Sequence, residues 1–309
     1  MGHTQNMSAN LTEPSTPDPL SQDRAAPQPA AGGINKPVYQ NDRYWTERLE
    51  REFTLAGVGH AGVGLAFNRW AYQVRRTVLM RALQKHGVRI SGARILELAF
   101  GTGFYLDAWR ELGAGHVTGF DITEIAVKAA RERFQNPGWR FDKADIGAPL
   151  PLGDTIGSFD LATAFDVLFH LVDDKSWNGA LDNIASALKP GGHAVIFDKY
   201  QTTENAISHV RRRTLAAYQD ALQARGFEVL DIRPIFFLMN SPTDLSGLGK
   251  LAFKTSWSLV KTPYKLGKHL GLGEWLGGVM GAGLYLPELF LTQIFSSGPS
   301  TKLLLARKR

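Results

Sequence analysis

Short apolar runs alternate with amphipathic segments between residues 94 and 198, and this alternation constrains the fold more than any other feature of the chain. The runs predict strands at Arg94–Leu98, His116–Asp121, 139–141, Phe159–Phe165 and 193–198, a sixth strand within 227–238 and a closing strand at 301–307. The segments between them predict helices at about 103–112, 123–134, 174–188 and 205–225. Strands that alternate with helices form βαβ units, which predicts a parallel sheet with right-handed crossovers.

The first predicted strand ends in a turn built from small residues. The segment 95–103 (ILELAFGTG) places Glu97 on the strand and Ala99, Gly101 and Gly103 at the turn and the start of the next helix. In open α/β sheets ligands bind outside the carboxyl ends of the strands, where such a turn lets the backbone approach them. A dinucleotide fingerprint would need a third glycine at position 106, which is Leu106. The register therefore argues against a nicotinamide dinucleotide.

Four further segments follow this turn in a recognisable order. They are 119–121 (GFD), 143–146 (KADI), 159–170 (FDLATAFDVLFH) and 188–196 (LKPGGHAVI). Together with 97–103 they resemble the motifs of the class I S-adenosylmethionine-dependent methyltransferases, over about residues 90–235. The chain departs from the family pattern at Ala99, where glycine is commonest, and at Phe100, which brings a large ring to the cofactor turn.

The resemblance, with the strand pattern, implies a Rossmann-like, doubly wound α/β sheet of seven strands whose last strand is antiparallel. A helical cap, two helices around the glycine-rich segment 57–62, is expected before the sheet, and a helical insertion before the last strand. The expected organisation is a disordered tail at 1–36, the cap at 37–89, the cofactor-binding core at 90–238, the insertion at 239–298 and the closing strand at 299–309.

The resemblance also implies S-adenosyl-L-methionine as the cofactor. In this family the acid at the end of the second strand, here Asp121, accepts hydrogen bonds from both ribose hydroxyls, and the turn at Asp145 flanks the adenine. The predicted cofactor-binding residues are Glu97, Ala99, Phe100, Gly101, Gly103, Asp121, Ile122, Asp145, Ile146, Phe165, Tyr72 and Arg76. Tyr44 and Arg75 are alternatives to the last two as partners of the cofactor carboxylate.

Methyl transfer from a sulfonium mainly needs proximity and orientation, and a base assists only those acceptors that lose a proton as they attack. The candidate catalytic residues are His170, His209 and Asp166, and the candidate substrate-binding residues are His60 and Tyr200. Three of these residues have a structural alternative: His170 shapes the site, Asp166 caps a helix, and Tyr200 marks a polar strand exit.

Composition narrows the chemistry. The 309 residues include no cysteine, which excludes disulfides, thiolate zinc sites and cysteine nucleophiles, and no residue pattern indicates a metal site. The net charge of +6 suits acidic small molecules or a membrane surface, and nucleic acid is not expected as a partner. The first 35 or so residues lack the apolar region of a secretory signal, and no apolar stretch is long enough to span a bilayer, so the protein is expected to be cytoplasmic.

The insertion carries a stripe of basic residues. On one helix Lys250, Lys254, Lys261, Lys265 and Lys268 would lie within an arc of roughly 60°, and Pro263 is expected to kink or split that helix. Three interpretations remain open: a lid over the acceptor pocket, a surface that contacts an anionic membrane through residues 248–270, or a solvated face.

The predicted function is methyl transfer from S-adenosylmethionine to a small-molecule acceptor, with an oxygen nucleophile on a hydrophobic or anionic metabolite favoured. The alternatives are a cofactor-binding regulatory protein without catalysis and an RNA methyltransferase. The RNA methyltransferase alternative is weakened because residues 165–168 (FDVL) stand where enzymes that methylate amino groups of bases carry a base-clamping tetrapeptide. The oligomeric state is not predicted.

Overall fold

A mixed sheet of seven strands lies at the centre of the computed structural model. The structure describes residues 40–309 except 208, 245 and 246, and it does not describe the side chains of 61, 247–250, 252 and 256. The predicted tail at 1–36 and the side chain of Lys250 lie outside the described residues. The strands are β1 Arg94–Leu98, β2 His116–Asp121, β3 Trp139–Lys143, β4 Phe159–Phe165, β5 Leu188–Asp198, β6 Asn205–Ile207, β7 Val210–Arg212, β8 Phe227–Pro234 and β9 Lys302–Lys308. The central sheet has the order β3-β2-β1-β4-β5-β9-β8, and β6 and β7 form a separate hairpin.

The strand directions confirm the predicted doubly wound sheet with an antiparallel last strand. β1 to β5 pair in parallel, whereas β9 is antiparallel to both of its neighbours, β5 and β8. The order reverses between β1 and β4, and ligands bind at this kind of switch point in open α/β sheets.

Helices cover both faces of the sheet. They are α1 Asn41–Arg51, α2 Leu55–Val58, α3 Gly64–Lys85, α4 Phe104–Glu111, α5 Glu124–Arg133, α6 Asp174–Ala187, α7 Leu215–Gln223, α8 Gly247–His269 and α9 Gly273–Ile294. One core lies between the sheet and the side of α3, α4 and α5, and a second lies on the side of α6 and α7. Because side chains alternate along a strand, Val195 and Phe197 of β5 enter the first core and Ile196 the second.

One local prediction is wrong. The helix predicted at 205–225 begins only at Leu215, and the hairpin of β6 and β7 precedes it. Contacts distant in sequence hold this hairpin: Arg213 donates to the carbonyl of Leu171, and its guanidinium lies over the ring of Trp177 at 4.6 Å. Of the two effects expected of Pro263, a split does not occur, because α8 continues through it as one helix.

The insertion, α8 and α9, is fastened to the cap helix α3 through α9. The Glu274 carboxylate of α9 accepts hydrogen bonds from the amides of Leu65 (3.1 Å) and Ala66 (2.7 Å), which are free donors of the first turn of α3. Gly277 and Gly281 of α9 are buried against α3, so the two helices approach closely. The position of α3 beside the sheet therefore depends on the insertion.

A second carboxylate anchors α9 to the segment that follows β8. Glu288 is fully buried and accepts hydrogen bonds from the amides of Phe237, Leu238 (2.8 Å) and Met239 (2.6 Å). Burial raises the pKa of Glu288 to about 7, against the opposing effect of these three donors.

Candidate active site

A cavity of about 910 Å³, which includes solvent at its mouth, lies at the carboxyl ends of β1, β2 and β4. The helices α1, α2, α3 and α4 and the segment after β4 complete its wall. Its lining residues are Asn41, Trp45, Leu49, Val58, Tyr72, Glu97, Ala99, Phe100, Gly101, Thr102, Phe104, Tyr105, Asp121, Ile122, Asp145, Ile146, Phe165, Asp166, Val167, His170 and Leu171. Twelve of the residues singled out from the sequence are among them.

The turn after β1 has a backbone that L side chains rarely adopt. Ala99, Gly101 and Gly103 all have positive φ angles, of 56°, 53° and 78°. Ala99 thus occupies a left-handed conformation without being glycine, at a cost of roughly 1–2 kcal/mol. Gly103 starts α4 and does not line the cavity, so its part is to shape the turn.

Asp121 joins β2 to this turn. One of its carboxylate oxygens accepts from the amide of Gly101 (2.9 Å), and the other accepts from the amide (2.9 Å) and hydroxyl (2.8 Å) of Thr123. Burial raises the pKa of Asp121, while these hydrogen bonds favour the carboxylate. The side chain is therefore held in one orientation at the cavity wall.

Glu97 is a second carboxyl group at the cavity, and it is 1% exposed. Its Oε2 accepts hydrogen bonds from the indole of Trp109 (2.8 Å) and the hydroxyl of Thr163. Burial raises the pKa of Glu97 to about 7 despite these two donors. A cation bound in the cavity would favour its charged form.

Asp166 lies at the end of β4 and has a positive φ of 53°. Its carboxylate forms an ion pair with Arg75 at 3.1 Å, in which both side chains are largely buried. The guanidinium of Arg75 also lies over the ring of Tyr72 at 4.8 Å, and its Nε is buried without a hydrogen-bond partner. Asp166 thus faces the cavity, and helix capping does not account for it.

Arg76, which the sequence analysis placed at the cofactor, points elsewhere. It pairs with Glu111 on the outside of α4 and does not line the cavity. Consecutive residues on a helix differ by about 100° in direction, so only one of two neighbouring arginines can face inward. The inward one is Arg75.

His170 has a defined tautomer. Its Nδ1 lies 3.1 Å from the carbonyl oxygen of His209, which can only accept, so Nδ1 carries the hydrogen and Nε2 the lone pair. Burial lowers the pKa of His170 to about 3, so the ring is neutral at physiological pH. His209 does not line the cavity; its carbonyl orients His170, and its ring stacks on Tyr44 at 5.3 Å.

Two predicted substrate-binding residues lie away from the cavity. Tyr200 is fully buried in the core beside α6 and α7, where its hydroxyl donates to the carbonyl of Ile196 at 3.2 Å. His60 precedes α3, its Nδ1 accepts from the amide of Gly62 at 3.3 Å, and its ring meets Trp257 of α8. Neither lines the cavity.

The sequence analysis missed an aromatic wall. Trp45 of α1 contacts the ring of His170 edge-on at 5.0 Å, and Tyr105 of α4 lies 4.1 Å from the ring of Phe165. The hydroxyl of Tyr105 is buried without a hydrogen-bond partner. The helical spacing of Trp45 and Leu49 marked an apolar helix face, but no signal in the sequence showed that this face covers the cavity.

Comparison with known proteins supports the motif analysis. Residues 95–192 match the family described as "Methyltransferase domain". The O-methyltransferase cnsE of Penicillium expansum is 31% identical over 172 residues, which cover 50% of this chain and 60% of the relative. A ubiquinone biosynthesis O-methyltransferase of Idiomarina loihiensis is 32% identical over 110 residues, or 36% of this chain and 44% of the relative. The chain therefore spans about half the length of these relatives.

Among solved structures, a Galdieria sulphuraria protein assigned provisionally as a sarcosine dimethylglycine methyltransferase has the same fold. It superposes with a TM-score of 0.54 at 17% identity, over 86% of this chain and 98% of its own.

The cavity also fits the cofactor of this family. Asp121 presents a fixed, buried carboxylate suited to hydroxyl donors, Glu97 suits a cationic ligand, and the Tyr105 hydroxyl lacks a partner. The family match, the order of the motifs and the strand order agree. Residues 95–192 are therefore a methyltransferase domain by sequence match, motif order and strand order.

Proposed function

We propose that this protein transfers a methyl group from S-adenosylmethionine to an oxygen atom of a small, largely apolar acceptor. One observation carries the proposal: a single cavity holds the cofactor motifs, Asp121 among them, together with His170, Asp166 and an aromatic wall. The two relatives compared above are named O-methyltransferases, which supports oxygen as the methylated atom.

The side of the cavity that carries the sequence motifs would hold the cofactor. The cofactor supplies a methyl group on a sulfonium sulfur, which leaves readily as a neutral thioether. Asp121 would accept from the ribose hydroxyls, and Ile122 and Ile146 would lie against the adenine. Glu97 and the Arg75–Asp166 pair would face the charged methionine end. What these residues add is orientation, which is the main requirement of an in-line displacement.

His170 is the residue that we assign to the acceptor. Its Nε2 lone pair can accept the hydroxyl hydrogen of an alcohol or phenol, which turns an oxygen lone pair toward the methyl group. With a pKa of about 3, His170 does not remove the proton beforehand. It can receive the proton as the oxygen forms its new bond and becomes far more acidic.

The walls of the cavity limit the class of acceptor. Trp45, Phe104, Tyr105 and Phe165 offer ring faces and edges, and Leu49, Val58 and Leu171 add aliphatic surface. A planar aromatic hydroxyl compound matches these walls better than a large polar polymer does.

The first test is a calorimetric titration of the full chain with S-adenosylmethionine, S-adenosylhomocysteine and NADH. We expect the first two to bind and NADH not to bind. Asp121→Ala should abolish binding, whereas Asp154→Ala, which removes an exposed carboxylate far from the cavity lining, should leave it unchanged. Binding of NADH alone would refute the cofactor assignment.

The second test measures S-adenosylhomocysteine formation with a panel of phenols, catechols and aromatic acids. Turnover of a hydroxyl compound, with a kcat reduced in His170→Gln at an unchanged dissociation constant for the cofactor, is the expected result. Cofactor binding without turnover of any panel member would favour the regulatory alternative. Turnover of RNA alone would favour the alternative of an RNA methyltransferase.

A further inference from the structure

The outward face of the insertion is an unusual surface. Among the described residues, thirteen large hydrophobic side chains are exposed, and eleven of them lie between 251 and 295. They are Leu251, Leu259, Leu266, Leu270, Leu272, Trp275, Val279, Leu286, Phe290, Ile294 and Phe295. A patch of this kind on a water-facing surface marks an interaction site.

On α9 the exposed residues form one continuous stripe. Trp275, Val279, Leu286, Phe290 and Ile294 fall within an arc of roughly 100° of the helix. Both charged residues of α9 lie off this stripe, because Glu274 caps α3 and Glu288 is buried. The stripe therefore carries no charge along a helix of 22 residues.

On α8 the exposed leucines lie beside positive charge. Leu251, Leu259 and Leu266 share one arc of roughly 80°, and Leu270 directly follows the helix. The exposed Lys254, Lys265 and Lys268 occupy the adjoining arc, between these leucines and the side of the buried Trp257. The sequence from 245 to 299 holds five lysines and two glutamates; Glu288 is buried, and the exposed Glu274 caps α3. The solvent-facing side of the insertion is therefore apolar, with an excess of positive charge.

We propose that this surface, the exposed residues of α8 and α9, docks the protein on an anionic lipid bilayer. Apolar side chains with an exposed tryptophan, bordered by lysines, match the acyl chains and the negative headgroups of such a bilayer. A second copy of the chain fits less well, because it would bring the same lysines together. No described helix is long and apolar enough to cross a membrane, so both helices would lie in the interface.

The test is sedimentation of the full chain with vesicles of phosphatidylcholine and phosphatidylglycerol in equal parts, and with vesicles of phosphatidylcholine alone. We expect binding to the anionic vesicles, weakened by added salt. Lys265→Gln/Lys268→Gln should weaken it roughly 30-fold, from the contribution of each lysine near a charged surface. Leu286→Ser/Phe290→Ser should weaken it at least about tenfold.

Two controls separate docking from general effects. Lys128→Gln/Lys175→Gln removes the same charge from other exposed sites, and Ile156→Ser removes an exposed apolar side chain outside the insertion. Neither should alter binding, and all variants should keep the wild-type unfolding temperature. The proposal would be overturned by equal losses of binding in the controls or by an absence of binding to anionic vesicles. It would also be overturned if light scattering showed a dimer that Leu286→Ser/Phe290→Ser dissociates without loss of vesicle binding.

Discussion

Two glycines of α9 differ only in what surrounds them, and this gives a sharp test of the packing between the insertion and the cap. A Cβ atom at Gly281 would lie 2.6 Å from Cδ1 of Trp70 and 2.9 Å from its Cβ and Cγ. The Cβ of Trp70 is fixed to the backbone of α3, so rotation of the side chain cannot remove the clash. At Gly283, two residues further on, a Cβ would meet nothing within 4 Å.

The expected magnitudes follow from this geometry. Replacing a glycine inside a helix with alanine stabilises a protein by about 1 kcal/mol through the backbone alone. Gly283→Ala should show this gain in full. Gly281→Ala should show the same gain minus an overpacking cost of about 1–3 kcal/mol, because α3 and α9 must move apart. The two variants should therefore differ by about 2 kcal/mol in the free energy of unfolding.

Urea denaturation followed by circular dichroism measures this difference, and thermal unfolding should show it as roughly 4–8 °C in Tm. Gly283→Ala should unfold above the wild type and Gly281→Ala at or below it. If both alanines raise the stability equally, the two helices are not in close contact at Gly281, and the argument that α9 positions α3 fails.

Three further predictions concern charge. Arg75→Met should leave Asp166 without its partner, destabilise the fold by about 3 kcal/mol and weaken cofactor binding in calorimetry, whereas Arg76→Met, which breaks a more exposed pair, should change stability by less than about 1 kcal/mol. Because the pKa of Glu97 is about 7, binding of the cationic cofactor at pH 7 should release up to about half a proton, seen as a buffer-dependent binding enthalpy that is absent in Glu97→Gln. Because burial raises the pKa of Glu288 from 4.5 to about 7, the folded state binds the proton more tightly than the unfolded state does. The stability of the wild type relative to Glu288→Gln should therefore be greatest below about pH 4.5 and fall by about 3 kcal/mol as the pH rises to 7; a pH-independent difference would contradict this assignment.

The sheet could be predicted because each of its strands at the cofactor side is marked twice, once by an apolar run and once by a motif residue at its end. Glu97 and Asp121 illustrate this, since the first lies on β1 and the second ends β2. A local pattern of this kind fixes both the element and its direction toward the cavity. The helix predicted at 205–225 had no such marker. Its first part forms a hairpin instead, and Arg213, which follows that hairpin, contacts the loop after β4.

The differences between the predicted site residues and the residues that line the cavity have a geometric cause. Arg75 and Arg76 are equivalent in composition, and only the packing of α3 shows which of them faces Asp166. Tyr200 follows the end of β5, and no local pattern shows that its side chain enters the core beside α6 and α7.

The position of β9 has a consequence for the order in which the protein can form. Residues 302–308 lie between β5 and β8, and in the sheet β8 pairs with β9 alone. During synthesis β8, α8 and α9 therefore leave the ribosome before the strand that joins β8 to the sheet exists. Until residues 302–308 arrive, β8 has no strand to pair with, and its apolar residues cannot complete the two cores.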